Sequence, residues 1–319
     1  MSRASQRLRK AADVGKFLVP AGIAFFVGRV IHANWSQIQQ AEWDVNYLYL
    51  IVSALLCAPW FWIRPLGWNL LVNAFGRHVP FSAVYRVVRH AELSRFLPGG
   101  FWAVASRVYL VKKWHVKPSS ALAATVVDLV LTTLAALIPA LWSLGEVFPG
   151  LGIVQKVVFI AFPLVSIAVV HPKLLNLWAG FVFRRVGQDY EGLEIRWHTL
   201  LVIWGMYVGA WVSLCAGVAM LIRGVIQLGP GGTTFMGSSY AAAWLAGTFA
   251  MIAPAGMGIR EGALGLLLSR WMPTGPAFTV AIGIRLWLLL LEVTWVGIGA
   301  LLPRPEPPAE EDPTPSSET

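Results

Sequence analysis

Pro254-Ala255-Gly256-Met257-Gly258-Ile259-Arg260-Glu261 interrupts an apolar run that extends from about residue 236 to 272, and Pro98-Gly99-Gly100 interrupts a second at about 80–116. A helix interior needs the amide proton that proline lacks, and glycine weakens it further. Each half of either run is only about 15–18 residues, short of the ~20 that cross a bilayer. Two re-entrant helical hairpins, each dipping into the membrane and returning to its own side, follow from this reading. A kink within a full span is the alternative.

Around these breaks the chain is apolar over membrane length in six segments, at about 16–34, 46–74, 119–145, 152–171, 199–222 and 276–302. Of 319 residues 57% are hydrophobic and 13% charged, where a soluble domain carries about 25% charged residues. The expected fold class is an all-α polytopic membrane protein with six transmembrane helices and two re-entrant hairpins. One transmembrane domain covers 1–302, and a tail rich in Pro, Glu, Ser and Thr, 303–319, is expected to be disordered. The basic start followed by Phe17–Val30 invites a signal-peptide reading. Arg29 interrupts that run and no small-x-small cleavage site stands out, so an uncleaved first span is expected.

A net charge of +9 would suggest nucleic acid in a soluble protein. In a membrane protein it reflects Lys and Arg on cytoplasmic loops and near anionic headgroups, so no nucleic-acid partner is expected. Sixteen tryptophans, many near the ends of apolar runs, fit interfacial belts. Cys57 and Cys215 lie inside apolar segments and do not suggest a disulfide framework.

With the N-terminus in the cytoplasm, segments 1–16, 73–118, 172–198 and 303–319 face inward and hold 18 of the 25 Lys and Arg residues. That bias supports a multi-pass protein of the cell membrane with a cytoplasmic N-terminus. The order span, span, hairpin, span then describes 16–145 and again 152–302. Three spans per half make the second half inverted, an architecture that recurs in transporters.

Charges inside a bilayer cost about 2.5–3.5 kcal/mol each on insertion scales, and here they gather at the breaks. His90, Glu92, Arg95 and Arg107 flank Pro98, Gly99 and Gly100; Arg260 and Glu261 follow Pro254, Gly256 and Gly258. Each break starts a helix whose first N–H groups and positive dipole end suit an anion, more so beside an arginine. Arg107 and Arg260 are the expected anion-holding residues, and a cationic cavity near mid-membrane suits a lipid phosphate. Bland readings stand beside this one. Glu92 and Arg95 can be a surface pair, and Arg86, Arg89 and His90 can simply meet headgroups. Arg64 is expected to snorkel to the cytoplasmic end of its span. Asp128, Arg285 and Glu292 need partners inside the spans; Asp128 with Arg285 or Arg260, and Glu261 with Arg107, are the pairings considered. No phosphate loop, zinc spacing or nucleophile-base arrangement is present, so no cofactor and no metal are expected.

The stretch Pro254 to Ala263 resembles the Pro-Gly-Gly-hydrophobic-Gly-hydrophobic-Arg-Glu signature of the lysylphosphatidylglycerol synthase transmembrane, or flippase-like, family. Arg95-Phe96-Leu97-Pro98-Gly99-Gly100 with Arg107 is similar to that family's first Pro-Gly element, and Asp128 and Arg285 match an acidic and a basic position in its spans. Ala255 departs from the signature, and no soluble aminoacyl-transferase segment accompanies the membrane part, so lysine transfer is not implied. The resemblance implies movement of an anionic phospholipid, or of a polyprenyl-phosphate-linked glycolipid, between leaflets, and no enzymatic activity. A membrane-embedded transferase acting on a lipid phosphate, and a non-transporting subunit of a lipid-modifying enzyme partner, are the rival readings.

Overall fold

In the computed structural model, residues 29, 32–33, 35–41, 43–74, 78–94, 102–147, 152–186, 192, 195–226, 232–249, 256 and 258–307 are described. Most of the first span expected at 16–34, the break residues Arg95 to Gly100 and Pro254, and most of the tail lie outside them.

The described chain is helical: α1 (Trp35–Gln40), α2 (Tyr47–Asn73), α3 (Phe81–Ser94), α4 (Trp102–Val111), α5 (Pro118–Val147), α6 (Gly152–Val169), α7 (Pro172–Val186), α8 (Trp197–Arg223), α9 (Thr233–Phe249), α10 (Ile259–Leu268) and α11 (Thr274–Leu301). Helices α2, α5, α8 and α11 are long and apolar enough to cross a membrane. A fifth candidate is the bent pair at 157–169 and 172–178, turned by 78° where α6 gives way to α7. The apolar run expected as a span at 152–171 ends there, and α7 is an element beyond that expectation. Its exposed Leu174, Leu177, Trp178 and Phe181 fall at helical spacing ahead of exposed Arg184 and Arg185, the pattern of a helix lying in the interface.

Outward faces of the long helices are apolar too. Leu48, Ile51 and Leu55 form one exposed stripe on α2, and Leu286, Leu290 and Val293 another on α11. Surfaces of this kind are stable against lipid and costly against water. Pro59 and Pro65 sit inside α2; beside Pro59, the Ser213 hydroxyl from α8 donates to the Leu56 carbonyl at 2.6 Å, one of the ways a membrane helix satisfies backbone near a proline.

Side-chain contacts give the helix directions. Asn46 N–H reaches Gly224 O at 2.9 Å and Ser213 reaches Leu56, so α2 and α8 run antiparallel, and theirs is the most extensive helix pairing. Asp128 meets Tyr207, and the Thr132 carbonyl accepts from Trp211 Nε1 at 3.1 Å; α5 therefore runs parallel to α8. Trp287 Nε1 donates to Ser53 Oγ at 3.2 Å and Trp295 stacks on Phe61 at 5.8 Å, so α11 runs parallel to α2. The three relative directions among these four helices agree with the topology expected from charge.

Both interrupted regions fold back on themselves. Arg107 on α4 contacts Glu92 on α3 at 2.8 Å across 15 residues, which a continuous helix would hold about 22 Å apart. Ser106 and Ser94 bond at 2.9 Å in the same hairpin, and Arg260 on α10 reaches back to Thr248 on α9 at 3.4 Å. A mere kink is therefore excluded for the described arms. Each hairpin packs on the long helix before it, on the one after it, and on the final helix of the other half: α3 on α11, and α9 on α5.

Cys57 and Cys215 are buried and unpaired, so a Lys112→Cys substitution places the reactive thiol on an exposed position of the α4–α5 turn. A membrane-impermeant maleimide should label it in inside-out vesicles and not in intact cells; labelling of intact cells would reverse the orientation.

Candidate functional site

Asp128, 2% exposed, sits near the middle of the bundle on α5. Its Oδ1 accepts from Arg64 Nη1 of α2 at 2.9 Å and from the Tyr207 hydroxyl of α8. Its Oδ2 accepts from Arg107 Nη1 of α4 at 2.8 Å. Arg64 also donates to Thr132 Oγ1, one turn along α5, and Arg107 Nη2 donates to Glu92. Aromatic faces enclose the cations: Arg64 lies over Trp60 at 5.5 Å and over Tyr207 at 5.0 Å, Arg107 over Trp68 at 5.7 Å. Two arginines and two carboxylates thus form a neutral, hydrogen-bonded set joining both arms of the first hairpin to α2, α5 and α8.

The second hairpin builds a looser arrangement. Gly256 and Gly258 have φ values of 65° and 82°, a region closed to most L-residues. A Cβ on Gly256 would stand 2.9 Å from Arg260 Nε and 2.9 Å from Gly247 O. These glycines therefore turn the chain into α10, and the Arg260 side chain fits where Gly256 and Gly247 of α9 carry no side chain. Arg260 lies over the Trp244 ring at 5.5 Å. Glu261 at the third helical position accepts the Gly258 N–H at 2.6 Å, capping its own helix, and its other oxygen faces Arg285 Nε of α11 at 3.5 Å.

Between these groups lies a cavity of about 620 Å³. Arg64, Arg89, Arg107, Arg260 and Arg285 line it with only three carboxylates, Glu92, Asp128 and Glu292. Trp60, Phe61, Tyr240 and Trp244 supply apolar wall. Among the described residues no group of His, Cys, Asp and Glu side chains is placed to hold a metal.

Of the residues singled out from sequence, Arg107, Asp128, Gly256, Arg260 and Arg285 converge on this cavity, and Glu261 stands behind it on Arg285. The expected pairings are exchanged: Asp128 takes Arg64 and Arg107, and Glu261 takes Arg285. Arg64 does not snorkel. It is 8% exposed because α2 turns this position toward α5, where a carboxylate waits. Arg86 and Arg89 do not lie free among headgroups either. Arg86 donates to the Gly299 and Leu302 carbonyls at the end of α11, completing backbone acceptors a helix end leaves open, while Arg89 is buried beside the cavity. The helix start after Gly258 is occupied by Glu261 rather than left for a ligand. Tyr207 was missed; its only signal is a phenol in mid-span, which is equally common at interfaces.

These features define a multi-pass helical membrane protein built around a charged internal cavity. The chain belongs to the lysylphosphatidylglycerol synthase TM region family, matched over residues 14–295. No curated protein matches it in sequence.

Removing one member of a buried ion pair costs about 3–5 kcal/mol, while replacing the pair by apolar groups costs far less. Asp128→Leu should therefore lower the melting temperature in detergent sharply, and the double change Asp128→Leu with Arg64→Met should recover part of the loss, since Arg107 keeps Glu92. Equal melting temperatures for single and double variants would mean that the network is not what holds α2 on α5.

Proposed function

We propose that this protein is a lipid translocase that moves an anionic phospholipid, or a polyprenyl-phosphate-linked glycolipid, between the leaflets of the cell membrane. The observation that carries the reading is the cavity: about 620 Å³ inside an apolar helical bundle, lined by five arginines against three carboxylates. A headgroup phosphate gains there what it loses on leaving water, because guanidinium groups offer charge-assisted bonds, while its chains remain in lipid. Membership of a family named for a phospholipid-modifying synthase supports a lipid substrate.

The residue roles follow from the two halves. Arg260 and Arg285 face the cavity from the second hairpin and from α11, and hold the headgroup. Asp128, Arg64 and Arg107 position the first hairpin. Matching contacts in the two halves, hairpin on preceding helix, on following helix and on the opposite final helix, support an inverted repeat with re-entrant hairpins, and such repeats alternate access by rocking about a central site.

A membrane transferase using Asp128 or Glu261 as base is less well supported. Asp128 accepts from two arginines and a tyrosine, and Glu261 accepts from a backbone amide and faces Arg285, so both carboxylates are engaged in holding the helices rather than presented to a substrate.

The test is leaflet exchange of a fluorescent phosphatidylglycerol in proteoliposomes, with the extracted lipid checked by mass spectrometry. Unmodified lipid should cross, and Arg260→Gln should slow it about tenfold or more, the effect of losing one charge-assisted bond. A chemically altered lipid would establish the transferase. No exchange in the wild type would favour a subunit that serves a partner enzyme.

A further inference from the structure

Arg89 is the cavity arginine that its neighbours satisfy least. It is 2% exposed, lines the cavity from α3, and its Nε is buried without a hydrogen-bond partner among the described residues. Its guanidinium lies over the Phe61 ring at 5.5 Å, a contact that suits a cation but satisfies none of its in-plane N–H donors. Glu92 and Glu292 stand within electrostatic reach, yet Glu92 is already bound to Arg107 at 2.8 Å. Buried donors left unmade are costly, so this side chain sits in a position that an added acceptor would stabilise.

Charge around the cavity points the same way. Arg64, Arg107, Asp128 and Glu92 close on one another as a neutral set. What remains is Arg89, Arg260 and Arg285 against Glu261 and Glu292, one positive charge in excess among the described residues. A planar guanidinium fork matches the oxygens of a phosphate better than a spherical anion, and the adjoining wall of Trp60 and Phe61 suits a ligand that is apolar beyond its charge.

We propose that Arg89 is an anion-accepting residue of the cavity, taking the oxygens of a phosphate ester along its guanidinium edge opposite Arg260 and Arg285. This assignment rests on the translocase reading for its lipid and not for its charge. It adds a residue of the first hairpin to the headgroup site, in place of Arg107, whose Nη1 and Nη2 already bond Asp128 and Glu92.

The experiment titrates the purified full chain with dihexanoyl phosphatidylglycerol, dihexanoylglycerol and inorganic phosphate, read by tryptophan fluorescence. Arg89→Gln should weaken the phospholipid about tenfold or more and leave the uncharged glyceride unchanged, as expected for one charge-assisted contact. Arg89→Lys, which keeps the charge and loses the fork, should fall between; it also decides the matter if the glutamine variant does not fold. Phospholipid binding equal to wild type in both variants overturns the proposal. If Arg260→Gln alone loses the phospholipid, Arg89 is excluded while the translocase reading stands. Binding of inorganic phosphate that depends on Arg89, without any preference for phospholipid over glyceride, keeps the anion site and overturns the lipid reading beneath it.

Discussion

The packing of the first hairpin on α2, α5 and α8 depends on one buried carboxylate that holds two guanidinium groups. Asp128 receives Arg64 from one long helix and Arg107 from the first hairpin, with Tyr207 completing the same oxygen as Arg64. In hydrocarbon none of these groups could stand alone, because each isolated charge costs several kcal/mol. Together with Glu92 they are neutral, and the geometry of the first half follows. The hairpin must sit where Arg107 reaches both carboxylates, and α2 must turn Arg64 inward. Trp60, Trp68 and Tyr207 then seal the set with their ring faces.

Around the second hairpin the order of acid and base along the chain is the reverse. In the first, the arm after the break carries a base, Arg107, that pairs with an acid, Asp128, on the following long helix. In the second, the corresponding arm carries an acid, Glu261, that faces a base, Arg285, on the following long helix. Each second arm also returns an arginine to the end of the first arm, but Arg107 finds a carboxylate there and Arg260 finds the Thr248 hydroxyl. The first hairpin is closed by charge. In the second, a hydroxyl contact, an aromatic face and glycines that leave room for the side chain help to place Arg260. Counted with Arg89 of the first hairpin, the described residues around the cavity carry one positive charge in excess.

Much of this was legible in the sequence. Membrane-length runs, two Pro-Gly breaks and the bias of Lys and Arg were sufficient for the long helices, the fold-back at 80–116 and 236–272, and the relative directions of α2, α5, α8 and α11. These depend on local composition and on counting. Pairing of the buried charges was not legible, because any acid and any base in neighbouring helices satisfy the same electrostatic need. Which one meets which depends on helix rotation: Arg64 was read as snorkelling because nothing local says that its face of α2 looks toward α5. Arg89 was read as a headgroup contact for the same reason, since α3 is rich in basic residues and only one of its faces is covered by α2 and α11. The fate of the α10 start was open as well. The Arg-Glu pair announced a special helix terminus, but whether the glutamate or a ligand occupies it depends on a side-chain rotamer.

A division of labour follows from where the charges balance. An element that must hold its shape in lipid is best made neutral within itself, as the Asp128 set is, because any residual charge would draw water or ions into the seam. An element that must admit and release an anion needs the opposite, a modest surplus with donors that ligand oxygens can complete. Too many free cations would hold an anion permanently; in the proposed site, one excess charge beside Glu261 and Glu292 lets the carboxylates compete for the arginines once a ligand departs. Arg285 illustrates the point: its 3.5 Å approach to Glu261 is long for a charge-assisted bond, so the pair is loose compared with the 2.8 Å contacts around Asp128 and Glu92. The tight set around Asp128 thus frames the cavity, and the looser arginines, Arg89 of the first hairpin and Arg285 of α11, are the ones to which the proposed anion site belongs.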